Sequence, residues 1–226
     1  MKKIILSLSI IAIATLSANA QIKFGLKGGL NASNIIGDHS LNADENNDAA
    51  FTLQYLTKVG YNFGAFVNLP IKGKFSLQPE VMYSFQGAKF KATTTDGFGD
   101  QTTTDGQQNL SYIQIPVLAK LTFNHKFYIQ TGPQFGFLAA AKAKDNGGSY
   151  GDDKSSFQSF DFAWGIGLGY TMPMGLGFDI RYNLGITSVD KNTDQNNDGG
   201  DGTGLKDHNS NIQIGVLYQF GGNHED

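Results

Sequence analysis

Residues 160–186 read FDFAWGIGLGYTMPMGLGFDIRYNLGI, and no other stretch restricts the fold so strongly. Its apolar content suggests a membrane segment, but it carries six glycines, Pro173 and the charges Asp161, Asp179 and Arg181. A helix would scatter those charges around its circumference. Period two sorts them cleanly. Phe160, Phe162, Trp164, Ile166, Leu168 and Tyr170 fall on one face, with Asp161, Ala163 and three glycines on the other. After a turn at 171–174, Leu176, Phe178, Ile180, Tyr182, Leu184 and Ile186 share a face, opposite Gly175, Gly177, Asp179, Arg181, Asn183 and Gly185. The stretch is predicted to be a β-hairpin with one wholly apolar face.

The same alternation recurs at about 22–30, 59–68, 75–90, 110–123, 127–141 and 212–220, which makes eight strands. Their connections alternate between long and short. The long ones, about 31–58, 91–109, 143–156 and 187–210, are rich in Asp, Asn, Thr and Gly and read as solvated loops. Bacterial outer-membrane barrels have even strand numbers and this asymmetry of long outer loops and short inner turns. Lipid satisfies no backbone N–H or C=O, so a membrane-spanning sheet must close on itself. The predicted fold class is therefore all-β: an eight-stranded antiparallel up-and-down transmembrane β-barrel spanning 21–221, with a short C-terminal tail at 222–226.

Eight strands enclose a space that side chains just fill. The glycines and glutamines of the polar face, with Lys23, Lys27, Glu80, Lys120, Asp161, Asp179 and Arg181, are predicted to pack inside as hydrogen bonds and ion pairs. Phe66 and Met82 share that face as filler. Phe75, Phe127, Tyr170, Tyr182 and Phe220 are expected in the interfacial aromatic girdles. Pro79, Pro116 and Pro133 lie inside strands, each removing a ladder donor, and predict bulges.

The first twenty residues read as an export signal: Lys2 and Lys3, an apolar run from 4 to 16, and Ala18-Asn19-Ala20 as a cleavage site. Removing Lys2 and Lys3 from the 17 basic residues leaves 15 against 20 acidic ones, net −5. No basic patch points to nucleic acid, and a chain without cysteine has no thiol nucleophile, disulfide or thiolate metal site.

Three segments carry a family likeness: FGLKGGLNASNI (24–35), YNFGAFVNLPIKGKFSLQPEVMYSFQGAK (61–89) and NLSYIQIPVLAKLTFNHKFYIQTGPQFGFLAAAK (109–142). They closely resemble the PorT-like outer-membrane β-barrel family of Gram-negative bacteria. The resemblance implies an eight-stranded outer-membrane barrel with both termini in the periplasm.

Candidate chemistry is sparse. Asp194, Asn196, Asp198 and Gly199 match the first half of a calcium loop, but Leu205 stands where a bidentate Glu belongs. The run Asp44, Asn46, Asp48 lacks the glycine. His39 beside Asp38 and Ser40 resembles a hydrolytic set only by adjacency, whereas triads form by spatial convergence; His125 and His224 read as exposed. No catalytic, cofactor or metal residue is assigned, and the chain is not read as an enzyme. The function expected is an integral outer-membrane scaffold or surface-interaction barrel with a packed, non-porous interior. Its expected partners are the lipid bilayer, the barrel-assembly machinery during insertion and a ligand of the extracellular loops, with no nucleic acid. Alternation alone leaves open a soluble lipocalin-like secreted or periplasmic ligand-binding barrel and a narrow outer-membrane pore.

Overall fold

Alternating strands without an edge can satisfy every backbone group only by closing into a ring, and that is the arrangement found. The computed structural model describes residues 22–36, 39–41, 50–145, 148–188 and 208–220. Among these the strands are β1 (Lys23–Ile36), β2 (His39–Leu41), β3 (Ala50–Lys72), β4 (Phe75–Gln86), β5 (Ala88–Thr95), β6 (Gln101–Phe123), β7 (Phe127–Asp145), β8 (Gly151–Asp152), β9 (Phe160–Thr171), β10 (Leu176–Ser188) and β11 (His208–Gln219). β4 and β5 are one wall, broken where Gly87 takes a φ of 131°. Eight antiparallel walls then follow one another as β1, β3, β4/β5, β6, β7, β9, β10 and β11, and β11 pairs back onto β1. The barrel is closed. β2 and β8 are short additions on β3 and β7.

The two faces separate as the alternation predicts. Leu26, Val59, Phe63, Val81, Ile129, Ile166, Ile180 and Ile214 are exposed on the outside, while Gln78, Glu80, Gln114, Gln130, Arg181 and Gln213 are buried within. Cross-strand aromatic pairs mark two levels on the outer face. Phe127–Tyr170 sits by the short turns and Phe137–Phe160 by the long connections, with ring centroids 4.7 and 5.6 Å apart. These pairs lie ten residues apart along both β7 and β9. At about 3.3 Å per residue and a tilt of about 40°, that is roughly 25 Å along the barrel axis, the height of an outer-membrane apolar band. Tyr182 departs from its expected place in a girdle. It stands at mid-wall between Ile166 and Ile212, its hydroxyl accepting a 3.1 Å hydrogen bond from Ser210.

Two further expectations are corrected. Pairing runs well into the stretches read as loops. β1 reaches Ile36, β3 starts at Ala50 and pairs with β5, and β5 pairs with β6 until only a turn at 96–100 remains of the connection 91–109. Outside the lipid band both strand faces meet water, so the apolar alternation fades while the backbone ladder continues. In the connection 143–156, β8 and a short 3-10 turn fold back onto β7.

The prolines do not produce bulges either. Phe66 pairs with Glu80 and Leu69 with Leu77, one register on both sides of Pro79. The register is equally unbroken past Pro116 and Pro133. Pro79 faces Val117 on the next wall, so the three prolines form a band across β4, β6 and β7. The ladder gives up two consecutive pairs at a time there and keeps its register, which an inward and outward alternation fixed on both sides enforces. Register shifts fall instead between Pro70 and Lys72, between Ser111 and Tyr112, and between Leu184 and Ser188.

Candidate functional site

The chemistry of this chain is concentrated inside the barrel, and glycine is what admits it. A Cβ on Gly215 would lie 2.9 Å from Asp179 Oδ1 and 3.1 Å from Lys27 Cε, and one on Gly165 would lie 2.8 Å from Asn183 Oδ1. A Cβ on Gly25 or Gly169 would strike the ring of Phe66 or Tyr128 at 2.2 to 2.3 Å. Small residues on one wall thus make room for large ones projecting from another.

Arg181 is the hub. Its Nη1 and Nη2 donate to Glu80 Oε2 and Oε1 at 2.9 and 2.8 Å, a bidentate pair with both residues 1% exposed. Nη2 also lies 3.9 Å from Asp179 Oδ2, which is paired with Lys27. Gln130 donates to Asp179 Oδ2 at 3.3 Å, and Gln78 donates to Glu80 Oε1 at 2.9 Å. Lys120 donates to Gln78 Oε1 at 3.2 Å and lies 3.6 Å from the Tyr128 ring centroid. Such a network is costly to bury and holds together because each carboxylate is both paired and hydrogen-bonded.

Apolar residues flank the network on both sides. Phe66, Tyr128 and Leu217 pack together toward the short turns. Leu110, Tyr112, Leu138, Ala141 and Phe157 pack toward the long connections, Phe157 being delivered by the folded-back segment after β8. Phe66 and Met82 are buried, as their place on the polar face predicts.

Of the seven charged residues placed inside from the sequence, five form this cluster: Lys27, Glu80, Lys120, Asp179 and Arg181. Asp161 is buried further toward the long connections, where the Thr187 hydroxyl donates to it at 3.3 Å. Lys23 is half-buried at the short-turn mouth. Sequence reading missed Lys58, which is buried and donates to the carbonyl of Gln108 at 3.1 Å and to the Asn109 side chain. Its parity with Gly60 and Asn62 was the available signal; the loop-like composition around it concealed the strand. Asp44, Asn46, Asp48, Asp194, Asn196, Asp198, Asp38 and His224 lie outside the described residues, as do residues 1–20 and 222–226. His39 is in β2, and His125 sits in the tight β6–β7 turn with a φ of 56°.

A closed ring of eight strands with an apolar exterior and a hydrogen-bonded ionic interior defines an integral membrane β-barrel. The chain belongs to the outer membrane protein beta-barrel domain family, whose model matches residues 17–191, and its place is the bacterial outer membrane. Among solved structures it is similar to Ail, the attachment invasion locus protein of Yersinia pestis, in complex with the heparin analogue sucrose octasulfate. There the identity is 13%, with 88% of this chain and 99% of that one covered, at a TM-score of 0.45. Neisserial surface protein A is similar at 13% identity, coverage of 87% and 97%, and a TM-score of 0.43. The outer membrane protease OmpT from Escherichia coli is similar at 10% identity, coverage of 90% and 98%, and a TM-score of 0.41. No curated protein matches the chain.

Proposed function

We propose that this barrel is a non-enzymatic, PorT-like scaffold and surface-interaction protein whose working surface is the sheet projecting past the lipid band. The observation that carries this reading is the β5–β6 hairpin. Ala50–Thr57 of β3, β5 and the first part of β6 pair residue for residue beyond the apolar belt. The tip is built: Asp96 Oδ1 accepts from the backbone N–H of Phe98 and of Asp100, both at 2.9 Å. It holds Phe98 96% exposed. An aromatic ring presented on an ordered turn is a low-entropy contact element.

The interior favours this reading over a pore, since an ion pair and two apolar clusters cross the lumen. It also favours it over a lipocalin-like barrel, which would place the apolar faces within. In this reading the first twenty residues are removed on export, the barrel-assembly machinery inserts the mature chain, and the short turns and both termini face the periplasm.

The chain has no cysteine, so a single introduced one reports unambiguously. On intact cells, Phe98→Cys is labelled by a membrane-impermeant maleimide, whereas Lys126→Cys is labelled only after the outer membrane is breached. A photo-crosslinker attached at Phe98→Cys yields a discrete adduct absent from Lys126→Cys. Labelling without any adduct contradicts the interaction role, and labelling of Lys126→Cys on intact cells contradicts the orientation.

A further inference from the structure

The interior network leaves one cation over. Toward the short turns it contains Lys27, Lys120 and Arg181 against Glu80 and Asp179. Lys27 takes Asp179 and Arg181 takes Glu80. Lys120 is 5% exposed and, among the described residues, has no carboxylate within ion-pair distance. Among the described residues its ammonium is met only by Gln78 Oε1 and the face of Tyr128. A buried ammonium is stabilised best by a negative charge brought to it.

Lys120 lines a recess of about 460 Å³ at the short-turn mouth of the barrel. Tyr128 and Thr171 line it too. Tyr128 is 2% exposed, and among the described residues neither its hydroxyl nor that of Thr171 has a hydrogen-bond partner although both oxygens are buried. Lys23 and Lys126 stand at the entrance, and no described Asp or Glu lines the recess. Three ammoniums and two unsatisfied hydroxyls around one cavity offer more donors than the two oxygens of a carboxylate can use. A tetrahedral oxyanion can use them.

We propose that this recess binds a soluble phosphate-bearing anion, held by Lys120 and the hydroxyls of Tyr128 and Thr171, with Lys23 and Lys126 drawing it in. The mouth opens at the end of the barrel, away from the lipid-facing wall, which favours a dissolved ligand over a headgroup. The site is a binding pocket and not a passage, because the Arg181–Glu80 pair bars the way beyond it.

The test is calorimetric titration of inorganic phosphate into the full chain, folded in non-ionic detergent in phosphate-free buffer. Wild type binds saturably at one site. Tyr128→Phe, which removes only the unpartnered hydroxyl, weakens binding about tenfold. Lys120→Met abolishes it, and Lys91→Met, on β5 at the far end, leaves it unchanged. Retained heat-modifiable gel mobility shows that each variant is folded. Repeating the titration in phosphatidylcholine discs with and without phosphatidylglycerol separates the sources: no competition supports the dissolved ligand, and competition overturns that part in favour of a headgroup. The proposal falls if wild type shows no saturable binding, if Tyr128→Phe and Lys120→Met bind as wild type does, or if binding emerges only after deletion of residues 221–226, whose carboxylates would then be the occupant.

Discussion

Arg181 on β10 and Glu80 on β4 form a bidentate ion pair between walls that are fourth neighbours around the ring in either direction, so the pair spans the barrel. It converts a tube into a solid. Removing one partner strands a buried charge, whereas removing both strands none. Glu80→Gln is expected to lower stability by about 3–5 kcal/mol, and Arg181→Met combined with Glu80→Leu to recover a large part of that loss. Urea unfolding in lipid vesicles, followed by the fluorescence of Trp164, measures both.

Glycine placement makes a second prediction. Gly25→Ala puts a methyl group 2.2 Å from Phe66 Cζ. Overpacking of this kind costs about 1–3 kcal/mol. The Tyr218 carbonyl oxygen stands 2.7 Å away as well, so adding Phe66→Leu should relieve the part of the clash due to the ring, giving a double variant whose loss is smaller than the sum of the two single losses. The same urea midpoints read this out, and additive losses would show that the two residues do not meet.

Ile180 and Gly167 lie on opposite faces of neighbouring strands and should fail differently. Ile180→Arg places a charge in the lipid band and is expected to cost about 2–4 kcal/mol in bilayers, with Ile180→Asp costing less. Gly167→Asp meets the Ile180 carbonyl 2.6 Å from its Cβ and crowds the core instead. Thickening or thinning the bilayer acyl chains therefore shifts the stability of Ile180→Arg while leaving the Gly167→Asp loss unchanged.

At the hairpin tip, Asp96→Ala removes the acceptor for two backbone N–H groups. The turn lies beyond the membrane-spanning wall, so barrel stability should change by about 0.5 kcal/mol or less. Limited proteolysis of the folded protein should nevertheless cut at 96–100 several times faster.

The sequence carried the membrane portion of the fold because there the solvent differs on the two sides of each strand. Wherever lipid lay outside and the packed core inside, as at 160–170 and 176–186, alternation identified the strand, its outward face and its inward charges. The β3–β5–β6 projection was hidden because Thr93, Thr94, Thr102 and Thr103 meet water on either face and carry no apolar period. Alternation also gives a residue's face but not its height. Arg181 and Glu80 were both placed inside, but their meeting depends on the register of eight walls. Likewise, Tyr128 was readable as interior, whereas its unsatisfied hydroxyl beside Lys120 was not. The prolines misled for a related reason: a closed ring holds each strand between two fixed neighbours, so losing one hydrogen bond is easier than shifting the register.

Trp164 offers the most direct measurement of which side of the wall faces lipid. It is the only tryptophan, it projects from β9 between the two aromatic levels, and its indole N–H donates to the Thr131 hydroxyl at 2.9 Å on the outer face. In vesicles made with brominated acyl chains its emission should be strongly quenched, with dissolved iodide having little effect. Strong quenching by iodide and none by bromolipid would mean that the apolar face does not meet the membrane.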